Sequence, residues 1–265
     1  MIDILVRDRR QARRFIRHFR QRWLKPVAEI KSPRRSYAAY KSFLADWRQY
    51  AALPHAEALH FADSYPCLFD RTITTPFDAH YFYQNIWAFK HICTAGSQAH
   101  VDVGSQAIFA GMLSAITSVV FVDIRPLIAR LENFVSLSGS ILSLPFDNNS
   151  IGSLSCLHVA EHIGLGRYGD PLDPQGTVKA ARELARVLAP GGRLYFSLPI
   201  GQSRLCFNAH RIHDPAQILQ YFPQLDLMQF AVVNDRGRFI SEAEPGDYRD
   251  ASYACGMFCF GKPKL

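Results

Sequence analysis

A chain of 265 residues with 48% hydrophobic, 12% aromatic and 20% charged side chains encodes a folded globule with a sizeable core, which excludes a disordered or fibrous polymer. No stretch reaches the ~20 continuous apolar residues of a membrane span, and the start lacks the apolar run of a secretory signal, so cytosolic residence is expected. The net charge of +7 is concentrated: residues 1–35 hold twelve Lys and Arg against Asp3, Asp8 and Glu29, and the body is close to neutral.

In the basic segment Ala12, Phe15, Ile16, Phe19 and Trp23 recur at helical spacing, with arginines over most of the other face. The pattern predicts a basic amphipathic helix. Two uses follow from it: docking of the aromatic stripe on the main domain, or peripheral contact with the inner, anionic face of a membrane. Nucleic acid is the less favoured partner, because a phosphate-tracking surface should extend into the body. A second helix is predicted with Tyr37, Tyr40, Leu44, Trp47 and Ala51 on one face, closed by Leu53-Pro54. After an irregular stretch a third runs from about His80 to Cys93, with Phe82, Ile86, Phe89 and Cys93 as its buried stripe. Residues 1–79 therefore read as a helical extension and 80–265 as the main domain.

From Ala99 onward short apolar runs alternate with helical segments. Strands are expected at Ala99 to Val103, Val119 to Asp123, Gly152 to His158 and Arg193 to Leu198. Helices are expected over Gln106 to Ala115, from Pro126, over Thr177 to Leu188 and near Asp214 to Phe222, followed by strands at Leu225 to Val233 and Tyr253 to Phe260. This is a doubly wound α/β layout, in which ligands lie beyond the carboxyl ends of the strands. Six scattered cysteines read as reduced, buried, small hydrophobes; Cys255 and Cys259 share a strand face with Met257, without the knuckle of a zinc ribbon. The run His158-Val-Ala-Glu161-His162 fits a metalloprotease pattern, but that pattern needs both histidines on one helix, and here the first ends a strand. No metal is expected.

The residues after the strands carry the chemistry. Asp102-Val103-Gly104-Ser105 forms a strand-to-helix turn, Asp123 ends the next strand 21 residues on, Leu144-Pro145-Phe146 follows, and Glu161-His162 and Pro190-Gly191-Gly192 come after. In these motifs the chain resembles the class I S-adenosylmethionine-dependent methyltransferases of the small-molecule type over about residues 80–260. It is also similar to an uncharacterised branch of them through His80-Tyr81-Phe82-Tyr83, the run from Cys156 to Pro171, and Phe207-Asn208-Ala209-His210-Arg211. The resemblance implies a Rossmann-like sheet of seven strands with helices on both faces, and S-adenosylmethionine as cofactor. Asp102, Gly104 and Ser105 match the start of the family's glycine-rich loop, Asp123 and Ile124 its ribose-binding acid and neighbour, Ile141 and Leu142 its adenine wall, and His158 lies beside the methionine end. Family glycines are replaced by Gln106 and Ile108, which predicts added bulk at the floor of the cleft.

The implied reaction is methyl transfer to a hydroxyl of a small-molecule or glycan-type acceptor. His162 or His210 is the candidate base, because imidazole titrates near neutrality. Glu161 is the candidate orienting group, and Arg167, Tyr168, Asn208 and Arg211 face the acceptor. His213 is expected at the surface. The contrasting expectation is a catalytically silent module that binds a partner or a membrane.

Overall fold

The computed structural model describes Trp23 and residues 33–264. The chain divides into two compact units, Met1–Pro76 and Phe77–Leu265. Apart from Trp23, the predicted basic helix lies outside the described residues.

In the first unit, α1 (Pro33–Ala51) carries its ring contacts on Tyr40, Phe43 and Trp47. Tyr40 stacks on Trp23 at 5.6 Å between centroids, and Phe43 meets the same indole edge-on. The contact face is thus turned from the predicted one, and Tyr37 and Leu44 are exposed.

The second unit is the α/β domain. Its helix α2 (Ala79–Ala95) starts where Asp78 accepts from the backbone N–H groups of His80 and Tyr81, and ends at Gly96 in the left-handed conformation. The remaining elements are β1 (Ala99–Val103), α3 (Ala107–Leu113), β2 (Ser118–Asp123), β3 (Phe134–Ser138), β4 (Ile151–Leu157), α4 (Gly176–Val187), β5 (Leu188–Ile200), β6 (Arg204–Cys206), β7 (His210–Ile212), α5 (Pro215–Tyr221), β8 (Asp226–Val233), β9 (Phe239–Ile240) and β10 (Ala254–Gly261). One sheet has the order β3-β2-β1-β4-β5-β10-β8-β9. The first five strands in that order run parallel, and β10 enters antiparallel between β5 and β8. The eighth strand, where seven were expected, is the two-residue β9, which folds back on the end of β8.

The core lies on both faces of this sheet. Residues along β10 alternate between them: Cys255, Met257 and Cys259 pack with Trp87, Ile92, Phe109 and Leu113 under α2 and α3, and Phe258 and Phe260 pack with Leu184, Ile218 and Phe222 under α4 and α5. Full burial of one such side chain contributes roughly 1.5–3 kcal/mol. The cysteine expectation holds for Cys156, Cys255 and Cys259, whereas Cys67 and Cys93 are exposed.

Three local expectations are corrected. The buried face of α2 is Gln84, Trp87, Ala88 and Ile92; Phe82, Ile86 and Cys93 are exposed. No helix forms from Pro126, and the segment between β2 and β3 is irregular, with Ile128 fully exposed. The chain also extends directly from the end of α4 into β5, so Pro190-Gly191-Gly192 lies inside the strand as a register shift against Ile151 and Ser153.

Two sequence motifs clasp each other here. Glu183 accepts from the Leu144 backbone N–H at 2.6 Å and pairs with Arg186, whose guanidinium donates to the carbonyls of Leu144 and Phe146. That charge-assisted set fixes the Leu-Pro-Phe loop to α4.

Candidate functional site

The turn after β1 is organised by a buried polar chain. Ser155 donates to Asp102, which also accepts from the Ser105 backbone N–H at 3.0 Å, and the Ser105 hydroxyl accepts from Leu157 N–H at 3.0 Å. Behind Ser155, His100 Nε2 lies 2.8 Å from its hydroxyl and Nδ1 lies 2.7 Å from Ser153. Since Ser155 spends its proton on Asp102, His100 donates from Nε2 and accepts at Nδ1, the neutral tautomer; burial holds its pKa down at about 3. Burial pushes the Asp102 carboxyl up to about 6. Asp102 therefore shapes the turn from within and lines neither of the two cavities at these strand ends.

Gly104, half-buried, follows in that turn. Its φ of +70° is costly for an L side chain, and a Cβ there would lie 3.1 Å from Val159 Cγ1. Of the two bulky replacements, Ile108 is 76% exposed and lines neither of the two cavities at these strand ends, whereas Gln106, held by Asn85 at 2.9 Å, lines the larger of them. The predicted bulk is absent from the smaller cavity, the one that holds Asp123.

Two cavities open at these strand ends. The first, about 370 Å³, is lined by Gly104, Asp123 and Ile124, by Ile141 and Leu142, and by His158, Val159 and Tyr168. Asp123 keeps its carboxylate at this cavity, with one oxygen accepting from Arg125 N–H at 2.7 Å. The second, about 550 Å³, is lined by Ser105, Glu161, His162, Arg167, Tyr168 and His210, together with Asp78, His80, Tyr81 and Tyr253. Gly104, His158, His162 and Tyr168 border both. The structure thus gathers most of the residues singled out in the sequence around one composite cleft.

His158 follows β4 with φ +56°, a left-handed residue of a kind that concentrates at functional sites. Burial and the neighbouring imidazoles of His80, His162 and His210 hold its pKa at about 3, and its Nε2 has no hydrogen-bond partner. Glu161 and His162 lie in the single helical turn Ala160–His162, two residues beyond His158 and separate from β4. Nδ1 of His162 lies 2.6 Å from the Ala209 carbonyl, a distance two acceptors would not keep, so this nitrogen bears the proton and Nε2 is left bare. Nε2 lies 3.6 Å from Glu161. Glu161 is fully buried with both oxygens unpartnered, and burial raises its pKa to about 8, as burial lowers that of His162 to about 4. Near neutrality the two are an uncharged carboxylic acid and an uncharged imidazole.

Some expected residues stand elsewhere. Arg211 lines neither of the two cavities: it donates to the carbonyls of Ile163 at 2.6 Å and Asp173 at 3.0 Å, tying the loop after β4 to the approach to α4. Asn208 does not line either cavity; its neighbours Ala209 and His210 do. His213 is buried, not surface, with burial holding its pKa at about 4. Sequence reasoning assigned no role to Asp78, His80, Tyr81 or Tyr253, although His80 and Tyr81 open one of the motifs it singled out. His80 stacks on Tyr253 at 5.2 Å, a contact spanning most of the domain sequence.

A family model described as Caenorhabditis protein of unknown function, DUF268, matches residues 147–235. No curated protein matches the chain. Among solved structures, the N-methyltransferase NodS from Bradyrhizobium japonicum WM9 in complex with S-adenosyl-L-homocysteine is similar at a TM-score of 0.51 and 12% identity, over 83% of this chain and 98% of its own. A sarcosine dimethylglycine methyltransferase assignment from Galdieria sulphuraria is similar at 0.51 and 14% identity, over 69% and 87%. With the strand order described above, these likenesses show that the chain shares the fold of these methyltransferase structures.

Proposed function

We propose that this protein transfers the methyl group of S-adenosylmethionine to a hydroxyl of a small-molecule or glycan-type acceptor. The observation that carries the reading is the pair of abutting cavities, one with an acid at the tip of β2 and an apolar wall, the other rimmed by imidazoles and phenols.

The residues of the first cavity fit the cofactor. Asp123 offers a carboxylate to a pair of ribose hydroxyls, Ile124, Ile141 and Leu142 offer an apolar slot for a base, and Gly104 leaves room that a Cβ would fill. The sulfonium supplies an already activated methyl group, so the chain's work is alignment, exclusion of water and removal of one proton. His162 serves that last role: Ala209 fixes its tautomer and its unprotonated Nε2 is close to Glu161. His210, half-buried and packed against Tyr253 at 5.2 Å, stands on the opposite rim as the alternative base. Arg167 and Tyr168 are the acceptor-facing anchors, with the Arg167 guanidinium 5.1 Å from the Tyr168 ring.

Calorimetric titration with S-adenosylhomocysteine tests the reading. Micromolar binding is expected, at least tenfold weaker in Asp123→Ala with the folded spectrum retained. Absence of heat at ligand concentrations on the order of hundreds of micromolar would overturn it.

A further inference from the structure

We propose that His80, His158 and Cys255 form a binding site for a divalent transition metal of the zinc class. The proposal does not depend on the methyl-transfer reading. One ligand atom from each of the three lies within 4.8 Å of the other two. They come from three separated elements, the first turn of α2, the residue after β4 and the start of β10, so one ion would tie both ends of the domain sequence to the centre of its sheet.

The second observation is the state of His158. Its Nε2 is buried without a hydrogen-bond partner, whereas buried polar atoms are almost always satisfied. Its other nitrogen lies 3.5 Å from the Ser197 hydroxyl, which donates to Gln84 at 2.6 Å. Metal-ligating histidines are commonly held in this way, through an outer partner on the nitrogen that does not bind the metal. The backbone assists, since His158 N–H donates to the Ser197 carbonyl at 2.9 Å.

Donor chemistry narrows the ion. Two imidazoles and a thiolate suit zinc and its neighbours and disfavour magnesium or calcium, which take oxygen. Ligand bonds of about 2.0–2.3 Å imply donor separations of ~3.5 Å in a tetrahedral set. Closing the present triangle onto them takes side-chain shifts on the order of an ångström. Binding would break the S–H bond of Cys255, the sulfur keeping the electron pair for the metal and the proton leaving to solvent. A dication with one thiolate leaves a single positive charge, and Glu161 is the buried carboxyl nearby whose oxygens lack partners. His80 and His158 both line the second cavity, so a fourth ligand, a water or another oxygen donor, would approach from there.

The test uses the full chain, stripped of metal under reducing conditions and titrated with zinc or cobalt(II) chloride. One equivalent is expected to bind, with the cobalt form showing tetrahedral ligand-field bands and a sulfur-to-cobalt charge-transfer band. Cys255→Ser should abolish the charge-transfer band, and His80→Ala, at a half-buried position where misfolding is less of a risk, should weaken binding roughly tenfold or more. Failure to take up a stoichiometric ion, or a charge-transfer band that survives in Cys255→Ser, would overturn the proposal.

Discussion

The guanidinium of Arg125 lies 4.3 Å from the centre of the Tyr168 ring, joining the loop after β2 to the loop after β4 beside the first cavity. Arg125 also reaches back to Asp123, with Nε 3.7 Å from the carboxylate. The acid of the cavity and its aromatic wall are therefore coupled through one side chain. A cation–π contact at a partly exposed site contributes about 1 kcal/mol. Tyr168→Ala and Arg125→Ala are each expected to weaken S-adenosylhomocysteine binding about fivefold, with the double variant little worse than either single one. Calorimetry on the four proteins checks this, and additive losses would show the contact to be irrelevant to the cavity.

Arg211 acts as a structural tie. Its two hydrogen bonds go to backbone carbonyls, and hydrogen bonds from charged groups contribute roughly 1.5–3 kcal/mol when partly shielded. Arg211→Ala should lower the urea unfolding free energy by about 2 kcal/mol and leave cofactor affinity within about twofold. A large change in affinity at unchanged stability would return the residue to the ligand site.

For His162 the expected signature is kinetic. Removing a general base typically costs 10²- to 10⁴-fold, so His162→Gln should reduce transfer by roughly that factor once an acceptor is in hand. The homocysteine product should still bind with nearly the original affinity. His210→Gln with the same profile, and His162→Gln without it, would exchange the roles of the two imidazoles.

Stability should depend on pH in two opposed ways. His100 and His158 at about 3, and His162 and His213 at about 4, are held below the ordinary imidazole value of 6.5 by burial. Their contribution is fully present above 6.5 and is lost as pH falls toward the folded values, because the unfolded chain takes up protons first. Asp102 at about 6 and Glu161 at about 8 are raised by burial. Their contribution is present below the ordinary carboxyl range and is lost as pH rises through the folded values. Four imidazoles outweigh two carboxyls on the acid side, so stability should peak near pH 7. It should fall on the order of 2–3 kcal/mol per pH unit around pH 5–6 and by under about 1 kcal/mol toward pH 8. Urea midpoints at several pH values measure this, and Glu161→Gln should flatten the alkaline limb. A midpoint that does not decline between pH 7 and 5 would contradict the burial of these histidines.

Four of the five parallel strands are legible in the sequence because each holds an apolar run, and because the acids and glycines at strand ends have few other uses; β3, an edge strand in which Ser136 and Ser138 alternate with apolar residues, gives no such signal and is missed. What escaped was set by tertiary partners. Periodicity put Phe82 and Ile86 inside α2, yet Gln84 is buried because Ser197, in the middle of β5, needs an acceptor. The residues after Asp123 have helical spacing, but Ile128 meets no surface to cover it, and the helix does not form. Arg211 looked like an anchor by type alone; only the fold shows two carbonyls claiming it. Tyr253 joined the cleft because β10 is inserted beside β5, a pairing no local pattern announces.

His158 is a party wall between two chambers. Any shift of its ring on filling one chamber alters the other, and thermodynamic reciprocity requires each occupant to change the affinity of its neighbour by one common factor. A compound that tightens in the presence of the homocysteine product would thereby reveal itself as a tenant of the adjoining room, giving a route to the acceptor that needs no turnover at all.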